Sequence, residues 1–313
     1  MDLVIAIAFV LAGFLLLMWS ADLLVDNASE LATNIGISNL LVGIIIVGFG
    51  TSAPELFVSA MAAIDNKGNL ALGNALGSNI TNIGMVLGSA ALVRTLSVDR
   101  STAVRDLPLV ILVGLLAVAL VADGVLSGLD GVILLATLVA YLVWSALSNT
   151  QQSSDDEFEP SGNSNSKTLA LTIVSIAILM GASELLVRGA VTIASFFGVG
   201  ELVIGLTIVA IGTSLPELAA AIAAARKGVH DMILGNIIGS NVFNTLGVLG
   251  ITGAIQVTTI DTSALSRDFP IMLLFTLAML LFALIKGKFG RLEGTILLGG
   301  YITYLLYLVV TSV

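Results

Sequence analysis

The sequence predicts an all-α polytopic membrane protein in which ten transmembrane helices form two inverted five-helix repeats. Three observations predict it. Hydrophobic residues make up 57% of the 313-residue chain and charged residues only 11%, a balance unlike that of soluble domains. Apolar stretches long enough to cross a bilayer recur along the whole length. One seven-residue motif returns, with its surroundings, in the second half.

A helix needs about 20 residues to cross the hydrocarbon layer. The first apolar run, 3–21, is long enough and lacks the Lys or Arg that opens a secretory signal, so it is expected to be a retained span. Further spans are expected at 37–64, 70–93, 107–122 and 129–147, completing a first unit over 1–147. Residues 148–167 break the pattern. Asp155, Asp156, Glu157 and Glu159 stand there among Ser, Asn, Gln, Gly and Pro, the composition of a solvated linker, without the ligand spacing or turn glycine of a calcium loop. A second unit over 168–313 carries spans at 168–188, 201–225, 232–257, 269–285 and 292–312.

Lys and Arg are enriched in cytoplasmic loops. An extracytoplasmic amino terminus puts Arg94, Arg100, Arg105, Lys167, Arg226, Lys227, Lys286, Lys288 and Arg291 inside and only Lys67, Arg188 and Arg267 outside. Both termini are thus expected outside and the linker inside, in a multi-pass protein of the plasma (inner) membrane. Cysteine is absent and His230 is the single histidine, which excludes disulfides and thiolate metal sites and leaves oxygen ligands for any divalent ion. The net charge of −9 argues against nucleic acid.

The repeat is specific. Gly50 to Leu56 reads GTSAPEL and Gly212 to Leu218 reads GTSLPEL, 162 positions apart. At the same offset GNALGSN, Gly73 to Asn79, meets GNIIGSN, Gly235 to Asn241, and Asn82 meets Asn244. From Leu23 to Gly88, 28 of 66 positions match. Each unit has an odd number of expected spans, so the second copy enters from the opposite side, the plan of carriers whose site lies at the midplane between halves.

Glu55 and Glu217 fall mid-span, where an ionisable group costs several kcal/mol unless it faces a polar interior or a bound ion. Pro54 and Pro216 supply no N–H, which frees the carbonyls of Gly50 and Gly212 in a broken helix. Thr51 and Ser52 share a helix face with Glu55, as Thr213 and Ser214 do with Glu217. In the next spans Ser78 and Asn82 are four apart, as are Ser240 and Asn244. Two carboxylates among neutral oxygens form a hard-cation set, suited to calcium or sodium. The glycines at 73, 77, 235 and 239 also fit small-residue helix packing, and a proline kink with capping hydroxyls would account for Thr-Ser-x-Pro without a ligand. Neither explains a glutamate in both copies. Asp22 and Glu184 are expected at the ends of the first and sixth spans, Arg105-Asp106 and Arg267-Asp268 at helix starts, and His230 in a solvated loop.

With its paired GTSxPE and GNxxGSN motifs in this order, the chain resembles the cation/calcium exchanger superfamily, specifically the prokaryotic ten-helix members of its sodium/calcium exchanger branch. The resemblance covers essentially the whole chain. It implies an antiporter rather than an enzyme, exchanging sodium for calcium by alternating access, with the first and sixth spans sliding over a site built from the second, third, seventh and eighth. It makes Glu55 and Glu217 the calcium carboxylates, gives sodium ligation to Thr51, Ser52, Thr213, Ser214, Ser78 and Ser240, and adds the backbone carbonyls of Gly48 and Ala210. Calcium and sodium are then the carried ligands, with no cofactor and no obligate protein partner. Some relatives carry an aspartate where this chain has Asn244, and an acid there accompanies potassium dependence; the paired amides Asn82 and Asn244 depart from that pattern.

Three other readings stay open. Buried glutamates also exchange protons, as in a calcium/proton antiporter, although proton-coupled relatives usually carry GNxxE. An intramembrane acid protease needs two carboxylates, but no paired aspartate motif is present. A cation channel would use acid and carbonyl rings.

Overall fold

The computed structural model describes residues 2–148, 163–198 and 210–312. Helices account for almost all of it: α1 Leu3–Ile35, α2 Asn39–Ile64, α3 Gly68–Val93, α4 Thr102–Leu120, α5 Gly128–Ser148, α6 Asn165–Phe196, α7 Leu215–Lys227, α8 His230–Ile255, α9 Ala264–Lys286 and α10 Arg291–Ser312. A single helical turn, Ala210–Thr213, precedes α7. Among the described residues nine helices, all but α7, are long and apolar enough to cross a membrane. The expected seventh span, 201–225, begins outside the described residues, as do the acids of the expected linker.

Two of the expected boundaries are corrected. α1 runs for 33 residues and α6 for 32, about 50 Å each and far beyond a hydrocarbon layer of about 30 Å. Both helices continue past the expected apolar windows, and polar partners meet α1 there. Asn163 donates from its backbone N–H and Nδ2 to Glu30 of α1 at 2.7 and 3.1 Å, and Lys227 caps Asp26. Asp22 and Glu184 lie inside these long helices, with helical residues on both sides. Arg105-Asp106 and Arg267-Asp268 stand at helix starts as expected, in the opening π-helical turns Thr102–Asp106 and Ala264–Asp268 of α4 and α9, each Arg paired with the Asp beside it.

The inversion of the repeat is visible in the packing. α1 and α6 are repeat mates, and they lie antiparallel: Gly13 packs on Ala182 and Leu186, Gly189 on Ala6 and Val10. Two short strand pairs say the same. β1 Leu96–Ser97 pairs not with β3 Thr258–Thr259, its repeat mate, but with β4 Lys288–Phe289, while β2 Val125–Leu126 pairs with β3. Equivalent loops thus lie at opposite ends of the bundle. Left-handed backbone recurs at mates as well, Gly36 with Gly198 and Asn66 with Gly228, where each helix must stop and turn.

Helices α2, α3, α7 and α8 form the centre, with α5 against α8, α10 against α3, and α4 against α9. α8 is buried without interruption from Asp231 to Gly250, and α7 presents Ala219, Ala220, Ala223 and Ala224 inward. The close approach comes from glycine. A Cβ on Gly43 would come 2.7 Å from the Met232 carbonyl oxygen, and one on Gly239 would collide with that of Ile44, so the first half of α2 lies backbone to backbone on α8. Large apolar side chains such as Leu11, Phe14, Leu129 and Val139 face outward.

Candidate ion-binding site

Glu55 and Glu217 reach the centre of this four-helix core by different local routes. α2 opens with an α-helical turn, Asn39–Val42, passes through a π-helical stretch, Gly43–Val47, and then continues as α-helix through Pro54. The expected break is absent in this half. In the second half it is present: Ser214 leaves helical geometry at φ −95°, ψ 9°, and α7 starts with Pro216 in its first turn, where the missing N–H costs nothing. The carbonyl of Gly212 is also not left free, because Ser183 Oγ donates to it at 2.9 Å.

The polar side chains converge. Glu55 and Glu217 are 1% and 2% exposed, Thr51, Ser52, Ser214 and Ser240 wholly buried, and Asn82 and Asn244 1% exposed each. The Glu217 carboxylate is close enough to Glu55 to feel its charge and lies beside Thr51 and Ser52. Thr51 Oγ1 is 3.0 Å from the Val47 carbonyl oxygen, 3.2 Å from Asn236 Oδ1 and 3.5 Å from Ser240 Oγ, which is 3.5 Å from the Gly48 carbonyl oxygen. Ser78 is buried one turn before Asn82 on α3. Thr213 is half-buried at the end of the short turn, and Ala210 stands at the start of that turn.

Many of these atoms have no protein partner. Both oxygens of Glu55, Oε2 of Glu217, the hydroxyls of Ser52 and Ser214, and both side-chain polar atoms of Asn82 and Asn244 are buried without a well-formed hydrogen bond. A buried polar atom left unpaired costs about 1–3 kcal/mol, so nine within the central helices and the turn that leads into α7 are more than a purely structural core tolerates. No group of three or more Asp, Glu, His or Cys occurs among the described residues. The donor set is two carboxylates filled out by hydroxyl, amide and carbonyl oxygens, which suits a hard cation of modest charge.

Two features escaped the sequence. Asn236 belongs to the GNIIGSN motif, yet its place beside Thr51 and Ser240 is set by the α2–α8 contact; its presence in both copies, with Asn74, was the available signal. Asn82 and Asn244 lie in π-helical turns, Asn82–Leu87 and Phe243–Val248, which re-aim side chains at the core. Helical periodicity does not distinguish a π turn from an α turn. His230 is also placed differently from expectation: it opens α8 and its Nδ1 lies 2.7 Å from Ser97 Oγ.

The family model for sodium/calcium exchanger proteins matches residues 5–147 and 167–310, one segment per repeat unit. The chain belongs to that family. Among relatives of this exchanger family, CaxA of Alkalimonas amylolytica, described as a candidate antiporter, is 46% identical over 96% of this chain and 98% of its own. The inner membrane protein YrbG of Escherichia coli K12 is 40% identical over 97% and 96%, and the sodium/calcium exchanger MaX1 of Methanosarcina acetivorans 28% over 95% and 97%. Among solved structures, the sodium-calcium exchanger NCX_Mj soaked without sodium or calcium superposes with a TM-score of 0.87 at 31% identity, covering 97% of this chain and 99% of that one. This exchanger-family chain is a multi-pass membrane protein, and the relatives and solved structures whose names state an activity are exchangers or antiporters.

Proposed function

We propose that the chain exchanges sodium for calcium by alternating access, with Glu55 and Glu217 as the shared carboxylates of one midplane site. The observation that carries this reading is the cluster of unpaired buried oxygens contributed symmetrically by two inverted units. Thr51, Ser52, Ser78, Asn82 and Gly48 from the first unit, and Thr213, Ser214, Ser240, Asn244 and Ala210 from the second, supply the neutral oxygens. Asn236 joins them through Thr51.

Charge gives the coupling. Two ionised glutamates are balanced by one calcium or two sodium ions, and a third sodium leaves one positive charge. An unbalanced charge in low dielectric is costly, so the carrier crosses when loaded and is hindered when empty. Obligatory exchange follows. Asn82 and Asn244 add no charge, which sets the carrier apart from a potassium-coupled design.

The division into units 1–147 and 168–313 joined by a cytoplasmic linker, with both termini outside the inner membrane, belongs to the same proposal and rests on the Lys and Arg distribution. The antiparallel pair α1 and α6 is the moving element. Calcium uptake into proteoliposomes under separate sodium, potassium and proton gradients tests the reading. A sodium gradient is expected to drive uptake; uptake driven by a pH jump without sodium would replace it with calcium/proton antiport.

A further inference from the structure

Four charged residues outside the ion-binding cluster have no part in the chemistry above. Lys227, the last residue of α7, reaches across to α1, where its Nζ meets Asp26 Oδ1 and, at 2.9 Å, the Asp22 carbonyl oxygen. Under the repeat, Lys227 corresponds to Asp65, the residue that ends α2, and Asp26 corresponds to Arg188 on α6. The mate pair has the same placement with the signs exchanged. Because the units are inverted, the two pairs lie at opposite ends of the bundle.

The pairs are in different conditions. Lys227 and Asp26 are joined. Arg188 Nε instead donates to Glu184 Oε1 at 2.6 Å, one turn back on its own helix, and Asp65 is exposed with no ion pair among the described residues. Glu184 is itself the mate of Asp22. The backbone contact of α2 on α8, through Gly43, Gly235 and Gly239, lies toward the end that Lys227 closes.

We infer that Lys227–Asp26 and Arg188–Asp65 are two latches of one device, closed in turn as the carrier changes the face it opens. The inference rests on the alternating-access reading. In the arrangement described here the Lys227 latch is shut, at the cytoplasmic end in the proposed orientation. When α1 and α6 shift, Lys227 releases Asp26 and Arg188 leaves Glu184 for Asp65. The released states differ: Arg188 keeps an i,i+4 partner, whereas Asp22 and Asp26 are left as like charges on one face of α1. The empty carrier therefore rests with the Lys227 latch closed. Lys227 and Arg188 are positioning residues for the cycle, not ion ligands.

The absence of cysteine makes the test direct. The double variants Asp26→Cys/Lys227→Cys and Asp65→Cys/Arg188→Cys are treated in proteoliposomes with a short bis-methanethiosulfonate, which joins the two thiols through reducible disulfides, since such ion pairs span more than a disulfide's Cα separation. Each pair is expected to cross-link, each cross-link to stop exchange until reduced, and ion conditions that speed one to slow the other. Lys227→Met and Arg188→Met are expected to change apparent ion affinity on a given face in opposite directions by about 2- to 5-fold, and Asp26→Lys/Lys227→Asp to restore it where a lost packing contact would not. An Asp65→Cys/Arg188→Cys variant that never cross-links, or exchange at full rate after cross-linking, overturns the latch. Cross-linking is read on the protein itself, so a cysteine-free parent without counter-transport would sink the exchange reading and leave the latch judged by reciprocity of the two cross-links.

Discussion

GTSAPEL and GTSLPEL differ at one residue, yet the chain builds different helices around them. α2 passes through Pro54 without leaving α-helical geometry, about two turns after the π-helical stretch Gly43–Val47. The second copy breaks at Ser214, and Ser183 occupies the carbonyl that the proline frees. Ser183's mate is Ala21, which has no hydroxyl to give Gly50. A similar exchange affects the next helices. Asn74 Nδ2 is tied to Ser59 Oγ at 3.0 Å, whereas the mate of Ser59 is Ala221, so Asn236 has no such tether from α7, and its Oδ1 meets Thr51 and Ser240. Small substitutions outside the motifs thus decide which oxygens face the shared centre.

The strongest way to break this comparison is at the carboxylates, where the halves should be equivalent. Glu55→Gln and Glu217→Gln are each expected to lower exchange in proteoliposomes by on the order of 100-fold or more, about 3 kcal/mol. Full activity in either variant removes that residue from the site. Next come the glycines. Gly239→Ala drives a methyl into the Ile44 carbonyl and is expected to cost about 1–3 kcal/mol in thermal unfolding, while Gly77→Ala, with nothing within 4 Å, is expected to be nearly silent. Equal costs would mean that the two faces pack alike.

A smaller effect is expected from Thr51→Val, which loses the contacts to Asn236 and Ser240 and should weaken ion binding about tenfold, about 1.4 kcal/mol, as measured by isothermal titration. The smallest and most specific is Ala221→Ser. It offers Asn236 the tether that Ser59 gives Asn74 and is expected to shift ion affinity about 2- to 3-fold by drawing Asn236 from Thr51. Ser59→Ala combined with it should transfer the asymmetry to the other half; no change in either would show that the tether does not set the amide's position.

The sequence by itself determined the membrane class, the two units and their inversion, because hydropathy and an ungapped self-match with an odd span count leave few alternatives. It also named the candidate oxygens: a glutamate mid-span in both copies has no bland explanation, and helical spacing puts Thr51 and Ser52 on its face and Ser78 and Asn82 on one stripe of the next span, with their mates in the second unit. The tertiary structure decided what spacing cannot express. The extent of α1 and α6 past their apolar windows depends on partners over a hundred residues away, Glu30 with Asn163 and Asp26 with Lys227. The π turns at Asn82 and Phe243, the unbroken helix at Pro54 and the meeting of Asn236 with Thr51 come from packing between the halves. Two nearly identical motifs are symmetric as strings, and become unequal only when each is packed against neighbours that are not.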